Sequence, residues 1–115
     1  MAVSSKDSAA NPEEMRARLL AMQSELKARL GHLVEDLAQP LDPDSSERAV
    51  ETEDDISLEG QALLVSRELA SVNRALERIE HGTYGICVEC GAAIAAARLD
   101  VRPEAALCIA CAEQA

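Results

Sequence analysis

From Met15 onward, apolar side chains recur at spacings of three and four: Met15, Leu19, Met22, Leu26, Leu30, Leu33 and Leu37. That spacing is the stripe of an amphipathic helix. The residues ahead of it form a start signal, with Asn11 as N-cap, Pro12 at the first helical position, and Glu13 and Glu14 in the first turn. Gly31 weakens the middle slightly, and Pro40 and Pro43 end the helix. The polar, Ser- and Ala-rich residues 1–10 predict a disordered tail.

A second start follows at once. Asp44 is a candidate N-cap with Glu47 three residues on, a capping-box spacing. Beyond it Leu58, Ala62, Val65, Leu69, Val72, Leu76 and Ile79 alternate four and three without a break, a heptad seam. Gly82 is the expected stop, and His81 suits the negative end of the helix. The pattern predicts a second helix from about Ser45 to His81, about 50 Å long at the helical rise per residue. Two striped helices joined by a short Pro-rich turn should lie antiparallel, each burying its stripe on the other. The fold class expected is mainly α. Residues 11–81 form a long antiparallel coiled-coil hairpin with its tip near 40–55, and residues 82–115 form a small C-terminal module.

Composition agrees with thin helix seams. Hydrophobic residues make up 48% of the 115 residues, yet Tyr84 is the sole aromatic. Ala, Leu and Val supply most of the apolar content, which favours an elongated shape over a thick core. The N-terminus lacks the apolar core of a signal peptide, and no window reaches the roughly 18 apolar residues of a membrane span. A cytoplasmic protein is expected.

That compartment bears on the four cysteines. Cys87-x-x-Cys90 and Cys108-x-x-Cys111 could mark disulfides in a secreted protein, but in a cytosolic one they favour metal. Each pair places two sulfurs on one side of a tight loop, and two pairs complete the tetrahedron of one zinc ion. Gly91 gives the chain room to turn behind Cys90. Four protein ligands leave no position for a reactive water, so the site should be structural and the protein no enzyme. A segment of this size seldom folds without such a clamp. A thioredoxin-like redox pair would need a βαβ pattern, which is absent; a zinc-thiolate redox sensor stands as a minor alternative.

The net charge is -10, and four thiolates with one zinc dication take it to -12. Nucleic acid and anionic membranes should repel such a chain. Ten acids and one base, Arg48, fall between Leu30 and Ser66, so nearly all the excess lies around the hairpin turn. A charge run is usually a solvated helix face. Here the repulsion falls where the seam fades, with Glu51 and Asp55 on its register, which costs stability and points to function. A partial calcium-loop match (Asp42, Asp44, Ser46, Glu53) fails because Glu47 occupies the glycine position and Pro43 the second.

The run Gly82-Thr83-Tyr84-Gly85-Ile86-Cys87, with Cys90-Gly91, Arg98-Leu99, Arg102-Pro103 and Cys108 to Cys111, resembles the DksA/TraR family of four-cysteine zinc-finger transcription regulators. The resemblance spans roughly residues 12–115. It implies a monomer that binds bacterial RNA polymerase and not DNA, inserting its acidic hairpin tip into the secondary channel to modulate initiation. The family's tip motif falls on Asp44, Glu47 and Ala49; Glu47 stands where the family has Asp, keeping the charge but reaching a methylene further. Several members bind the alarmone ppGpp through basic residues of the second helix. The matching positions here are Leu64 and Ser71, with Glu68 replacing an apolar contact between them. Only Arg102 matches, so little ppGpp response is expected. The chain ends four residues after Cys111, so the C-terminal helix of longer members is expected to be missing.

The alternative from another class is a zinc-stabilised adaptor whose acidic hairpin binds a different basic protein. Direct DNA binding would need a basic face, and Gly82–Ala115 holds only Arg98 and Arg102.

Overall fold

A computed structural model describes residues 11–39 and 56–114. They form a mainly α protein whose order is α1 (Pro12–Ala38), α2 (Leu58–His81), α3 (Ala96–Val101) and α4 (Ile109–Gln114). Asn11 caps α1 as its sequence predicts, its side chain accepting from the Glu13 and Glu14 amides at 3.0 and 3.4 Å. At the other end Gln39 takes an extended ψ of 141°, the conformation favoured for a residue that precedes proline in sequence, and stops the helix. Gly82 ends α2 in the left-handed region (φ 75°), where its amide and that of Thr83 reach back to Ile79 and Arg78.

One expectation is corrected. The helix that carries the second stripe begins at Leu58 and does not run unbroken from Ser45: Ser57 is extended (ψ 162°), and its Oγ accepts from the Gly60 amide at 3.1 Å as the N-cap. A serine hydroxyl that accepts from the first-turn amides is a favoured helix start. The expected tail (1–10) and the tip residues Asp44, Glu47 and Ala49 lie outside the described residues.

α1 and α2 run antiparallel. Arg16 meets Glu80 at 3.8 Å and Gln23 meets Asn73 at 2.7 Å, so seven residues forward on one helix match seven backward on the other. Between them Leu19, Leu26, Leu33, Val65, Val72 and Ala75 are buried, with Met22, Leu30, Ala62, Leu69, Leu76 and Ile79 packed around. The stripes are thus the core, although their outer members, Leu37 and Leu58, are 39% and 37% exposed. Ala75, which lies off the four-three alternation, is fully buried, and its methyl lets the backbones approach. Principal extents of 64 × 28 × 21 Å agree with an elongated molecule.

The half-buried Gln23 Nε2 donates to Asn73 Oδ1 within this seam, a polar link that ties down the register. Truncating Asn73 to alanine should destabilise the hairpin by about 1 kcal/mol, read as a lower urea midpoint at unchanged slope.

Candidate metal centre

The C-terminal residues fold around two cysteine turns. In the first, the Cys87 amide donates to Ala92 O (2.8 Å) and the Gly91 amide to Cys87 O (2.9 Å), with Gly91 at φ 77°. Outside it, Ile86 and Ala93 form an antiparallel bridge, and the Ile94 amide donates to Gly85 O at 2.8 Å. In the second, Cys108 precedes α4 and its carbonyl accepts from the Ala112 amide at 2.9 Å. The Val88 amide reaches Ala106 O at 3.0 Å and joins the two turns.

This brings together all four sequence-predicted cysteines, whose sulfurs lie within 4.8 Å of one another. Cys90 Sγ and Cys108 Sγ are 3.8 Å apart. A tetrahedron with Zn–S bonds of about 2.3 Å has edges of about 3.8 Å, whereas a disulfide needs about 2.05 Å. All four are free thiols. Cysteines this close, two from each turn, fit one structural zinc ion.

The thiols are not equivalent. Backbone amides of Cys108 and Cys90 favour the thiolate of Cys87 and hold its pKa down to about 6. Cys111, hydrogen-bonded to Cys108, Cys87 and Cys90, is pushed up to about 12. Zinc therefore displaces protons from the set as it binds, and acid opposes it. Cys87 is buried, Cys108 and Cys111 are half-buried, and Cys90 is exposed, so the cluster meets solvent on one side.

A small core backs the site: Met15, Cys87, Ile94, Leu99 and Ala105 are buried together. Met15 is the surprise. Its place at the head of the α1 stripe assigns it to the hairpin, yet its side chain enters the metal module. Arg18, one turn on, donates to the Asp100 carboxylate (3.1 Å) and to Asp100 O (2.7 Å). α1 and α2 both reach the module, so the metal sits at the end of the hairpin where α1 begins and α2 finishes.

Sequence reasoning gave no role to three residues that bind the chain ahead of Cys108. Tyr84 donates its hydroxyl to Pro103 O at 2.7 Å, and burial raises its pKa to about 12. Arg98 Nε donates to Leu107 O at 2.9 Å. Arg78, its pKa lowered by burial, directs Nη2 toward Glu104 O and Ala105 O at 3.5 and 3.4 Å, while its buried Nε has no partner. The signal was available: Tyr84 is the only aromatic, and a lone buried phenol needs an acceptor.

Comparison with known proteins finds two family models along the chain. Residues 82–115 match the prokaryotic dksA/traR C4-type zinc finger, and residues 15–79 match the DnaK suppressor protein-like N-terminal domain. The RNA polymerase-binding transcription factor DksA of Caulobacter vibrioides is 34% identical over 100 residues, which cover 84% of this chain and 70% of that protein. The structure of transcription factor DksA2 from Pseudomonas aeruginosa is similar with a TM-score of 0.68 at 30% identity, covering 90% of this chain and 81% of that one. The solution structure of the DnaK suppressor protein from Agrobacterium tumefaciens gives 0.66 at 34%, covering 93% and 96%. With one family model on the hairpin and the other on the four-cysteine module, the chain belongs to the DksA/TraR family of non-enzymatic zinc-finger transcription factors.

Proposed function

We propose that the protein is a DksA-like regulator that binds bacterial RNA polymerase and inserts its acidic hairpin tip into the secondary channel, modulating transcription initiation. Cys87, Cys90, Cys108 and Cys111 are its zinc ligands, and Asp44, Glu47 and Ala49 are its working tip. The observation that carries this reading is the polarity of the molecule. The zinc module closes one end of the hairpin. Gln39 and Ile56, which bound the acid-rich stretch 40–55, belong to the other end by the antiparallel register. The described acids nearest that end, Glu35, Asp36 and Glu59, are all exposed. A slender rod with concentrated negative charge at its far pole is a shape suited to a narrow, cation-containing channel.

The protein acts as a cytoplasmic monomer without touching DNA directly. Of the two basic side chains in its zinc module, Arg98 is engaged with Leu107 O, which leaves Arg102 alone. Its action depends little on ppGpp, because exposed Leu64 and Glu68 and half-buried Ser71 offer no cation on α2. No described helix is long and apolar enough to cross a membrane.

Co-purification with bacterial RNA polymerase, then transcription in vitro, tests the proposal. Wild-type protein and the Asp44→Asn/Glu47→Gln double variant should bind polymerase equally, while only the wild type changes initiation. Absence of polymerase binding would reject the reading in favour of an adaptor for another basic protein.

A further inference from the structure

The chain leading into the second cysteine pair is held at every step. Six consecutive carbonyls, from Arg102 to Leu107, accept hydrogen bonds. The Ala105 amide closes a turn on Arg102 O at 3.0 Å, with Pro103 at its second position. Tyr84 takes Pro103 O, Arg78 takes Glu104 O and Ala105 O, the Val88 amide takes Ala106 O, and Arg98 takes Leu107 O. The next residue is Cys108. Three of the donors are side chains from three places: the last turns of α2, the turn after it, and α3.

Side-chain donors of this length carry rotamer entropy that must be overcome to hold them on these carbonyls. The polar atoms of Tyr84 and Arg98 bond carbonyls and not sulfurs, and their apolar parts alone could be supplied by leucine or phenylalanine. Their polar atoms have a different use. With Cys87 and Cys90 fixed by their own turn, the metal tetrahedron closes only if Cys108 and Cys111 arrive at the right depth and angle. Tyr84 Oη and Arg98 Nε set that arrival by bonding the carbonyls five residues and one residue ahead of Cys108.

We infer that Tyr84 and Arg98 are positioning residues of the zinc site, fixing the second cysteine pair through the 102–107 backbone, and that they govern how tightly the metal is held. Arg78 supports the same segment with longer contacts and is the weaker member.

Zinc competition with a chromogenic chelator, and cobalt(II) substitution of the full chain, test the inference. Tyr84→Phe keeps the ring and removes only the donor. It should weaken zinc retention on the order of 10-fold, the lower range for loss of groups that orient metal ligands. Its cobalt(II) form should lose thiolate-to-metal charge-transfer intensity as Cys108 and Cys111 shift. Arg98→Gln should behave alike, and Arg98→Lys, which retains a cationic donor, should recover most of the loss. Ile94→Val is the control: it loosens the same small core without touching the carbonyls, so its cobalt spectrum should match wild type. The inference is overturned if Tyr84→Phe and Arg98→Gln hold zinc as wild type does, or if their cobalt spectra are unchanged and their zinc loss no greater than that of Ile94→Val. Should Arg98→Gln fail to fold, the Tyr84→Phe comparison decides alone.

Discussion

Replacing Cys87 with serine, or stripping zinc with a chelator, will unfold the residues after Gly82 while α1 and α2 remain largely helical. Cys87 has the strongest claim among the four because it is a buried member of the module core, at 2% exposure, and backbone amides favour its ionised form. Serine removes the soft donor and leaves a hydroxyl facing Met15, Ile94 and Leu99. Zinc binding in isolated fingers is worth about 10–16 kcal/mol, and in so small a module most of that is folding free energy. Far-ultraviolet circular dichroism should therefore fall by a minor fraction, whereas amide exchange in residues 83–114 should rise to unprotected rates. Equal protection with and without metal would show the module to be held by burial alone. Acid acts in the same direction as chelation, because protons compete with zinc for the thiolates.

The second large effect is expected at Leu19. It is fully buried in the hairpin, and its neighbours Val72 and Ala75 are equally closed to water. Leu19→Ala leaves a cavity in a seam whose other buried members, among them Leu26, Val72 and Ala75, hold the two long helices at their spacing, so collapse around it is restricted. A loss of about 2–5 kcal/mol follows from such truncations, a large share of the stability of a small domain. The urea midpoint should drop steeply with zinc saturating. Leu20, one residue away and 47% exposed, provides the contrast: alanine there should change stability by under about 1 kcal/mol.

The two effects lie where the sequence was most legible. Periodicity located the hairpin stripes because burial on a helix face repeats with the turn, and a C-x-x-C pair writes its chemistry into its spacing. Asn11, Pro12 and Gly82 were readable for a related reason, since caps depend on a single residue's own backbone and side-chain preferences. The start of α2 was less legible: Ser57 and Asp44 both offer capping chemistry, and spacing alone does not choose between them. Met15 fits the helical stripe yet belongs to the module core. Only the three-dimensional approach of Leu99 and Ile94 draws it out of the hairpin. The carbonyl ladder of residues 102–107 left almost no trace, since Tyr84, Arg78 and Arg98 act on backbone atoms, which look the same under every side chain.

The reach of Met15 and Arg18 into the metal module has a practical consequence for anyone borrowing the finger. Cut free at Gly82, it would lose a wall of its interior and the guanidinium that holds Asp100, so it is not a portable cassette. A graft onto another scaffold must bring the opening turns of α1 along with the closing turns of α2, because the finger is finished only by the chain that precedes it by some seventy residues.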